Sequence, residues 1–318
     1  MGQNHASGYG SATLVDRTMH GIIPILATPF DENGRIDFED LEREVEWMIG
    51  VGVNGVGVAV ASEIYKLTDP EREQVLTSVV KQVDGRVPVV MNTGAMGTDV
   101  TVYYSQRAEE LGADALMIRP PSFIAMPTRE VIEFFSRVGA SVGISIFQQD
   151  QATAQVPPGM AIEIARRHEN LCYIKVETAP TVPRIAETAA LRDAATDLGG
   201  DLILFGGAGG TFLFEELRRG SVGTMPGSAI PEVFVNVWEQ WQDGDEASAE
   251  AEFRRYGALI RTLKQPQGLD NWIYKEILVR RGIFKSAHAR HPAVKPDRFQ
   301  IYELEQMLDE LELEEPEV

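Results

Sequence analysis

Cysteine is almost missing from this chain: Cys172 stands alone among 318 residues. One thiol excludes an internal disulfide framework and suits a reducing, cytoplasmic setting. Histidine is scarce too, and its five copies are scattered. His288 and His291 form a close pair, but in a proline-flanked segment with no third ligand type in spacing, so no metal and no cofactor is expected. Positive charge is in short supply, with 29 Lys and Arg against 48 Asp and Glu and a net charge of −19. That balance argues against nucleic acid or an anionic membrane as partner. No apolar run approaches the ~18 to 20 residues needed to span a bilayer. Residues 1–18 are polar and Gly/Ser-rich, lack an apolar signal-peptide core, and read as a flexible tail. The acidic run 308–317 reads as a solvated helix end.

What the chain does have is a recurring unit: a helix-period stretch, a glycine, then a short apolar run. Phe38, Leu41, Val45, Met48 and Ile49 recur at three- and four-residue steps, which places them on one helix face. Gly50 and Gly52 follow, then the apolar run 56–61. The same order returns at 105–118 and at 212–225. Candidate strands fall at 22–26, 56–61, 87–92, 115–118, 143–147, 172–175, 202–205 and 222–225. Eight continuous apolar strands alternating with amphipathic helices predict an α/β fold, a (β/α)8 TIM barrel. A doubly wound open sheet is the alternative, weakened because no strand is followed by a Gly-x-Gly-x-x-Gly turn. After about Pro231 the strands stop, and 234–263, 271–281 and 299–311 read as helices. The expected organisation is a tail at 1–18, a barrel at 19–232, and a C-terminal helical appendage at 233–318 packed on the barrel.

Barrel enzymes carry their chemistry at the C-terminal ends of the strands and in the loops beyond. Those positions here include Ala61, Ser62 and Glu63; Phe147, Gln149 and Asp150; Lys175 and Glu177; Gly207; and Ser228. Lys175 stands out, because only seven of the 29 basic residues are lysines and this one lies inside an apolar strand. Desolvation among barrel side chains favours the neutral amine, the nucleophile that attacks a ketone to give an electron-withdrawing iminium. The competing reading is a lysine that snorkels to solvent or is simply paired with Glu177. Glu177 lies two residues on, hence on the same strand face, and can act as base, relay or counter-ion. The Ser62 hydroxyl and nearby backbone N–H groups are candidates to hold a carboxylate.

Together these residues resemble the dihydrodipicolinate synthase / N-acetylneuraminate lyase family of class I aldolases and dehydratases. The resemblance runs over nearly the whole chain. It is carried by the opening Gly21 to Phe30, by Ser62-Glu63 through Arg72, by Gly85 to Val90, by Pro120-Pro121 and by Ile174-Lys175. It implies a barrel with C-terminal helices, a Schiff-base role for Lys175, a small 2-oxo acid substrate and a homotetrameric assembly.

Two departures accompany it. The family's strand-five tyrosine, a proton relay, is missing, and counting back from Lys175 puts Phe147 in its place. The threonine that partners that tyrosine is gone as well, since the loop reads Ala59-Val60-Ala61-Ser62-Glu63. Ser62-Glu63, Gln149-Asp150, Lys175-x-Glu177-Thr178 and Arg290-His291-Pro292 are similar to segments of the 2-keto-3-deoxy-L-arabonate dehydratase subgroup. The expected activity is therefore a Schiff-base lyase that dehydrates a 2-keto-3-deoxy sugar acid. A retro-aldolase that releases pyruvate is the enzyme alternative, and a 2-oxo acid sensor the non-enzyme one.

Overall fold

The computed structural model describes residues 19–198, 202–265 and 268–313. The expected tail 1–18 and residues 314–317 of the acidic run lie outside the described residues. Eight strands, β1 (Gly21–Ile22), β2 (Val56–Val58), β3 (Val89–Asn92), β4 (Ala115–Ile118), β5 (Ser145–Asp150), β6 (Tyr173–Val176), β7 (Ile203–Gly206) and β8 (Ser221–Thr224), form one sheet. All pairings between them are parallel, in the order β1-β8-β7-β6-β5-β4-β3-β2. A parallel bridge from Ile25 to Gly57 joins the two ends, with Leu26 N–H donating to Gly57 O at 2.8 Å and Gly57 N–H to Pro24 O at 2.9 Å. The sheet is thus a closed (β/α)8 barrel.

The helices form where the apolar period and the capping residues agree. In α1 (Phe38–Val51) the Asp37 side chain accepts from the Glu39 and Asp40 N–H groups, Leu41, Val45 and Met48 turn inward, and left-handed Gly52 ends the helix. Helices α2 (Asp69–Val83), α3 (Thr98–Glu110), α4 (Thr128–Gly139), α5 (Pro158–Ala165), α6 (Thr181–Ala194), α7 (Leu213–Leu217) and α8 (Pro231–Gln242) complete the ring. One apolar core lies between the strands and these helices. A second fills the barrel itself, with Ile23, Ile25, Val90, Met117, Phe147, Tyr173, Phe205 and Met225 among its members.

Three expectations need correction. Strand β2 ends at Val58, because Val60–Ser62 coils into a 3-10 turn. Strand β5 runs on through Gln149 to Asp150, which shifts the residue set beside Lys175. The helix expected over 234–263 is three: α8, α9 (Glu246–Arg255) and α10 (Gly257–Leu263), broken at left-handed Gly244 and at Tyr256. Helix α8 packs on α1 and β1, so a boundary at 232/233 would cut the eighth barrel helix. Helices α11 (Asp270–Arg280) and α12 (Arg298–Leu311) complete the chain. No helix among the described residues is long and apolar enough to cross a membrane.

Helix α11 is fastened to the barrel by charge. Glu63, fully buried, accepts from Lys66 Nζ at 2.6 Å and from Lys275 Nζ of α11. Lys275 also donates to His288 O at 3.0 Å and lies 4.4 Å from the centre of the Phe30 ring. Asn271, one turn earlier, donates to Ala61 O at 2.7 Å. The C-terminal helices are thereby held over the barrel mouth.

A second buried carboxyl behaves differently. Burial pushes Glu44, on α1, up from 4.5 to about 8, although Ser228, the Ala27 N–H and Lys275 oppose it. The folded chain therefore keeps a proton there that the unfolded chain releases above about 4.5. Stability should fall as pH rises from about 5 to 8 and level off above, by at most about 1.4 kcal/mol per pH unit for one group. In Glu44→Gln this contribution is expected to vanish. Urea unfolding of the variant across that range checks it, and an unchanged slope would show that Glu44 is ionised in the fold.

Candidate active site

A cavity of about 380 Å³ opens at the C-terminal ends of the strands. Its walls come from Ile25 after β1, Ala59 to Ala61 after β2, Gln149 to Thr153 after β5, Lys175 and Glu177 at β6, Gly209 after β7 and Met225 to Gly227 after β8. The outer wall is C-terminal: Leu263, Lys264, Gln265, Asp270, Asn271 and Tyr274.

The floor explains why Lys175 stands where it does. Side chains two residues apart on a strand share a face, and β5, β6 and β7 pair Phe147 with Tyr173 and Lys175 with both Gln149 and Phe205. Phe147 stacks on Tyr173 at 4.5 Å between centroids and meets Phe205 edge-on at 5.4 Å. This aromatic layer plugs the barrel beneath Lys175. One step up, Gln149 and Lys175 project into the cavity. Phe147 is thus a buried floor residue one layer down, and the residue set beside the lysine is Gln149.

Lys175 is buried, with its Nζ 3.1 Å from Glu177 Oε1. The other Glu177 oxygen accepts from Gln149 Nε2 at 2.9 Å and Gln151 Nε2 at 3.0 Å. Gln149 is itself fixed by Asn92 Nδ2 at 3.0 Å. Burial pushes the Glu177 carboxyl up, but Lys175, the Gln149 amide and Lys264 outweigh it and hold the group below its ordinary range. The site therefore presents a carboxylate, ionised and aimed by two amides, against a lysine amine. Gly207 backs this pair, since a Cβ there would lie 2.3 Å from Glu177 Cγ and 3.0 Å from Lys175 Cε.

The other expected site residues fall elsewhere. Ala61 lines the cavity. Ser62 does not: its hydroxyl donates to Leu26 O at 2.5 Å and accepts from Ala59 N–H at 3.0 Å, so it caps the 3-10 turn. Glu63 is the buried partner of Lys66 and Lys275. Asp150 is buried and accepts from the Arg184 guanidinium twice at 3.0 Å, from Thr178 Oγ1 at 2.8 Å and from Val156 N–H at 2.8 Å. Ser228 is buried toward Glu44. These four residues organise loops and do not face the cavity.

Sequence reading missed the outer wall. Burial raises Asp270 to about 6 against its hydrogen bonds from the Asn271 and Gly268 N–H groups. Burial also pushes the Tyr274 phenol far up, with Asp270 adding to it. In the sequence, Asp270, Asn271 and Tyr274 open an ordinary helix more than 90 residues beyond Lys175, and no local pattern marks them as functional. Among the described residues, no group of three His, Cys, Asp or Glu side chains is arranged to hold a metal.

This chain and its fold are similar to known proteins. The family model described as "Dihydrodipicolinate synthetase family" matches residues 18–311. The L-2-keto-3-deoxyarabonate dehydratase of Azospirillum brasilense is 30% identical over 305 residues, 92% of this chain and 96% of that protein. The putative 2-dehydro-3-deoxy-D-gluconate aldolase YagE of Escherichia coli is 26% identical over 92% of this chain and 97% of its own length. The crystal structure of YagE in complex with pyruvate superposes with a TM-score of 0.85 at 25% identity, covering 93% of this chain and 99% of that one. With a match that spans the barrel, the C-terminal helices and the cavity between them, the chain belongs to the dihydrodipicolinate synthetase family.

Proposed function

We propose that Lys175 forms a Schiff base with the C2 keto group of a 2-keto-3-deoxy sugar acid, and that the protein then eliminates water from C4. The favoured substrate is 2-keto-3-deoxy-L-arabonate, giving 2-oxoglutarate semialdehyde, in line with the relative that is 30% identical. The observation that carries this reading is the buried Lys175 amine 3.1 Å from an ionised, doubly amide-bonded Glu177 in the cavity.

The substrate carboxylate goes to the Val60–Ala61 backbone, because that segment lines the cavity while the Ser62 hydroxyl is engaged elsewhere. Attack by the Lys175 amine and loss of water give an iminium at C2. Glu177, with its Oε1 3.1 Å from that nitrogen, takes a C3 proton. The C3–H electrons become the C2=C3 bond of an enamine, which expels the C4 oxygen to leave C3=C4. A proton shift from C5 to C3 makes the C5 enol, which becomes the aldehyde, and water releases the keto acid from Lys175. No metal or cofactor enters these steps.

Borohydride reduction with the substrate present, followed by peptide mapping, tests this directly. A stable adduct on Lys175 is expected, and none in Lys175→Ala. Glu177→Gln should still trap the adduct while turnover falls about 10²- to 10⁴-fold, the usual share of a positioned base. Wild-type protein without an adduct would remove the Schiff-base reading, and full activity in Glu177→Gln would remove the base. The aldolase name of the 26% identical relative supports a second reading, cleavage to pyruvate and an aldehyde. Product analysis separates the two.

The family-type homotetramer remains part of the proposal. Phe123, Ile124 and Met126, in the loop between β4 and α4, are exposed, with Phe123 at 86%. Such an apolar patch fits contact with a second copy. Sedimentation velocity should show the assembly, and Phe123→Asp should shift it to smaller species. An unaltered profile would place the contact elsewhere.

A further inference from the structure

A proton donor is needed for any hydroxyl to leave as water, and the strand-five phenol that the family offers is replaced here. The cavity nevertheless holds a phenol. Tyr274, from α11, lines it together with Lys175 and Glu177. The hydroxyl end of its ring lies close against Gly227, where a Cβ would come within 2.3 Å of Tyr274 Cε1 and 2.7 Å of the phenol oxygen. The Gly227 backbone, this close to the oxygen, works against burial in the phenol's acidity. Among the described residues, no acceptor is recorded for the phenol hydrogen. The hydroxyl is thus held at the cavity wall by the close approach to Gly227, with its hydrogen available to a group in the cavity.

The position is complementary to that of Glu177. Gly209, on the wall after β7, places the phenol oxygen and the Lys264 side chain on one side, since a Cβ there would be 3.9 Å from the one and 3.6 Å from the other. Glu177 and Lys175 line the β6 side of the same cavity. With C2 on Lys175 and the carboxylate at the Val60–Ala61 backbone as proposed above, the C4 end has the C-terminal wall with Tyr274 within the same cavity to extend toward. Burial and the neighbouring Asp270 keep the phenol protonated, so it serves as a donor and not as a base.

We propose that Tyr274 is the general acid that protonates the departing C4 hydroxyl, replacing the missing strand-five tyrosine from a different part of the chain. This rests on the dehydratase reading above. In the step, Glu177 takes the C3 proton and the enamine nitrogen pushes its pair back. The C2=C3 electrons become C3=C4, and the C4–O pair leaves with oxygen. Tyr274 supplies the second hydrogen of the water formed. The proton on Glu177 then returns to the tyrosinate through solvent, leaving the net loss of one water from the substrate.

The test compares Tyr274→Phe with wild type on two substrates: the natural 4-hydroxy acid and the analogue with fluorine in place of the C4 hydroxyl. Fluoride leaves without a proton, whereas hydroxide does not. On the hydroxy acid, kcat should fall about 10²- to 10⁴-fold with KM little changed and the borohydride adduct on Lys175 intact. On the fluoro analogue the two proteins should differ less than about threefold, within the scatter expected where no acid catalysis is lost. Equal losses on both substrates would mean that Tyr274 only shapes the cavity and would overturn the assignment, as would no loss on the hydroxy acid. Wild-type protein that yields pyruvate in place of the dehydrated product overturns the dehydratase reading together with this one. That failure is recognised from the products alone.

Discussion

Glu63 sits without solvent contact between the ammonium groups of Lys66 and Lys275, and most of the cavity's outer wall depends on that arrangement. Buried ion pairs seldom add net stability over an apolar packing of equal volume, because desolvation offsets the Coulomb gain. What this one supplies is register. Lys275 is on α11, and Glu63 follows the turn after β2, so the pair fixes one helix of the C-terminal region to one loop of the barrel. Apolar contacts would tolerate a slide or rotation of α11. A carboxylate between two fixed ammoniums does not. Asn271 and Tyr274 lie four and one residues before Lys275, and the same clamp brings Asn271 to Ala61 O and Tyr274 to Gly227.

The inner wall depends on packing instead. Phe147, Tyr173 and Phe205 fill the barrel one layer below Lys175 and keep water from reaching it from beneath. A lysine in that position would be an uncompensated buried charge without Glu177. Glu177 would in turn be a poor carboxylate without the Lys175 charge, the Gln149 amide and Lys264, since burial alone raises it. The group nearest the lysine nitrogen is thus kept ionised by neighbouring charges and a preorganised amide.

The barrel was legible because its grammar is local: each helix stripe, closing glycine and apolar run sits within about 25 residues, in keeping with the span of one βα unit. Lys175 was legible for the same reason, as a cation inside an apolar run. The misplaced residues share one physical cause. Their facing is decided by partners far away in sequence. Ser62 and Glu63 were read as strand-end groups, but the 3-10 turn at Val60–Ser62 rotates them off the cavity face, toward Leu26 O and Lys275. Phe147 and Gln149 share one strand face, and counting back from Lys175 drew attention to Phe147, which lies a layer below the lysine. The continuation of β5 to Asp150, locked by Arg184, then chose Gln149 as the partner of Lys175. Tyr274 carries no local signal at all, because an aromatic in an amphipathic helix is ordinarily core.

The distribution of acid and base across the cavity bears on which bond such a site would break. Retro-aldol cleavage begins by removing the proton of the C4 hydroxyl, so it wants a base at the end of the substrate far from the imine. Dehydration wants the reverse, a base at C3 and an acid at the C4 oxygen. C3 is one bond from the carbon joined to Lys175, and the ionised carboxylate here is the group nearest that nitrogen. On the far wall stands a phenol that burial and Asp270 keep protonated. Asp270, raised to about 6, is the carboxyl on that wall which could instead act as the distant base, although its second role as acceptor from the Gly268 and Asn271 N–H groups ties it to the helix start. Proton-rich far wall and proton-poor near wall together match elimination better than cleavage.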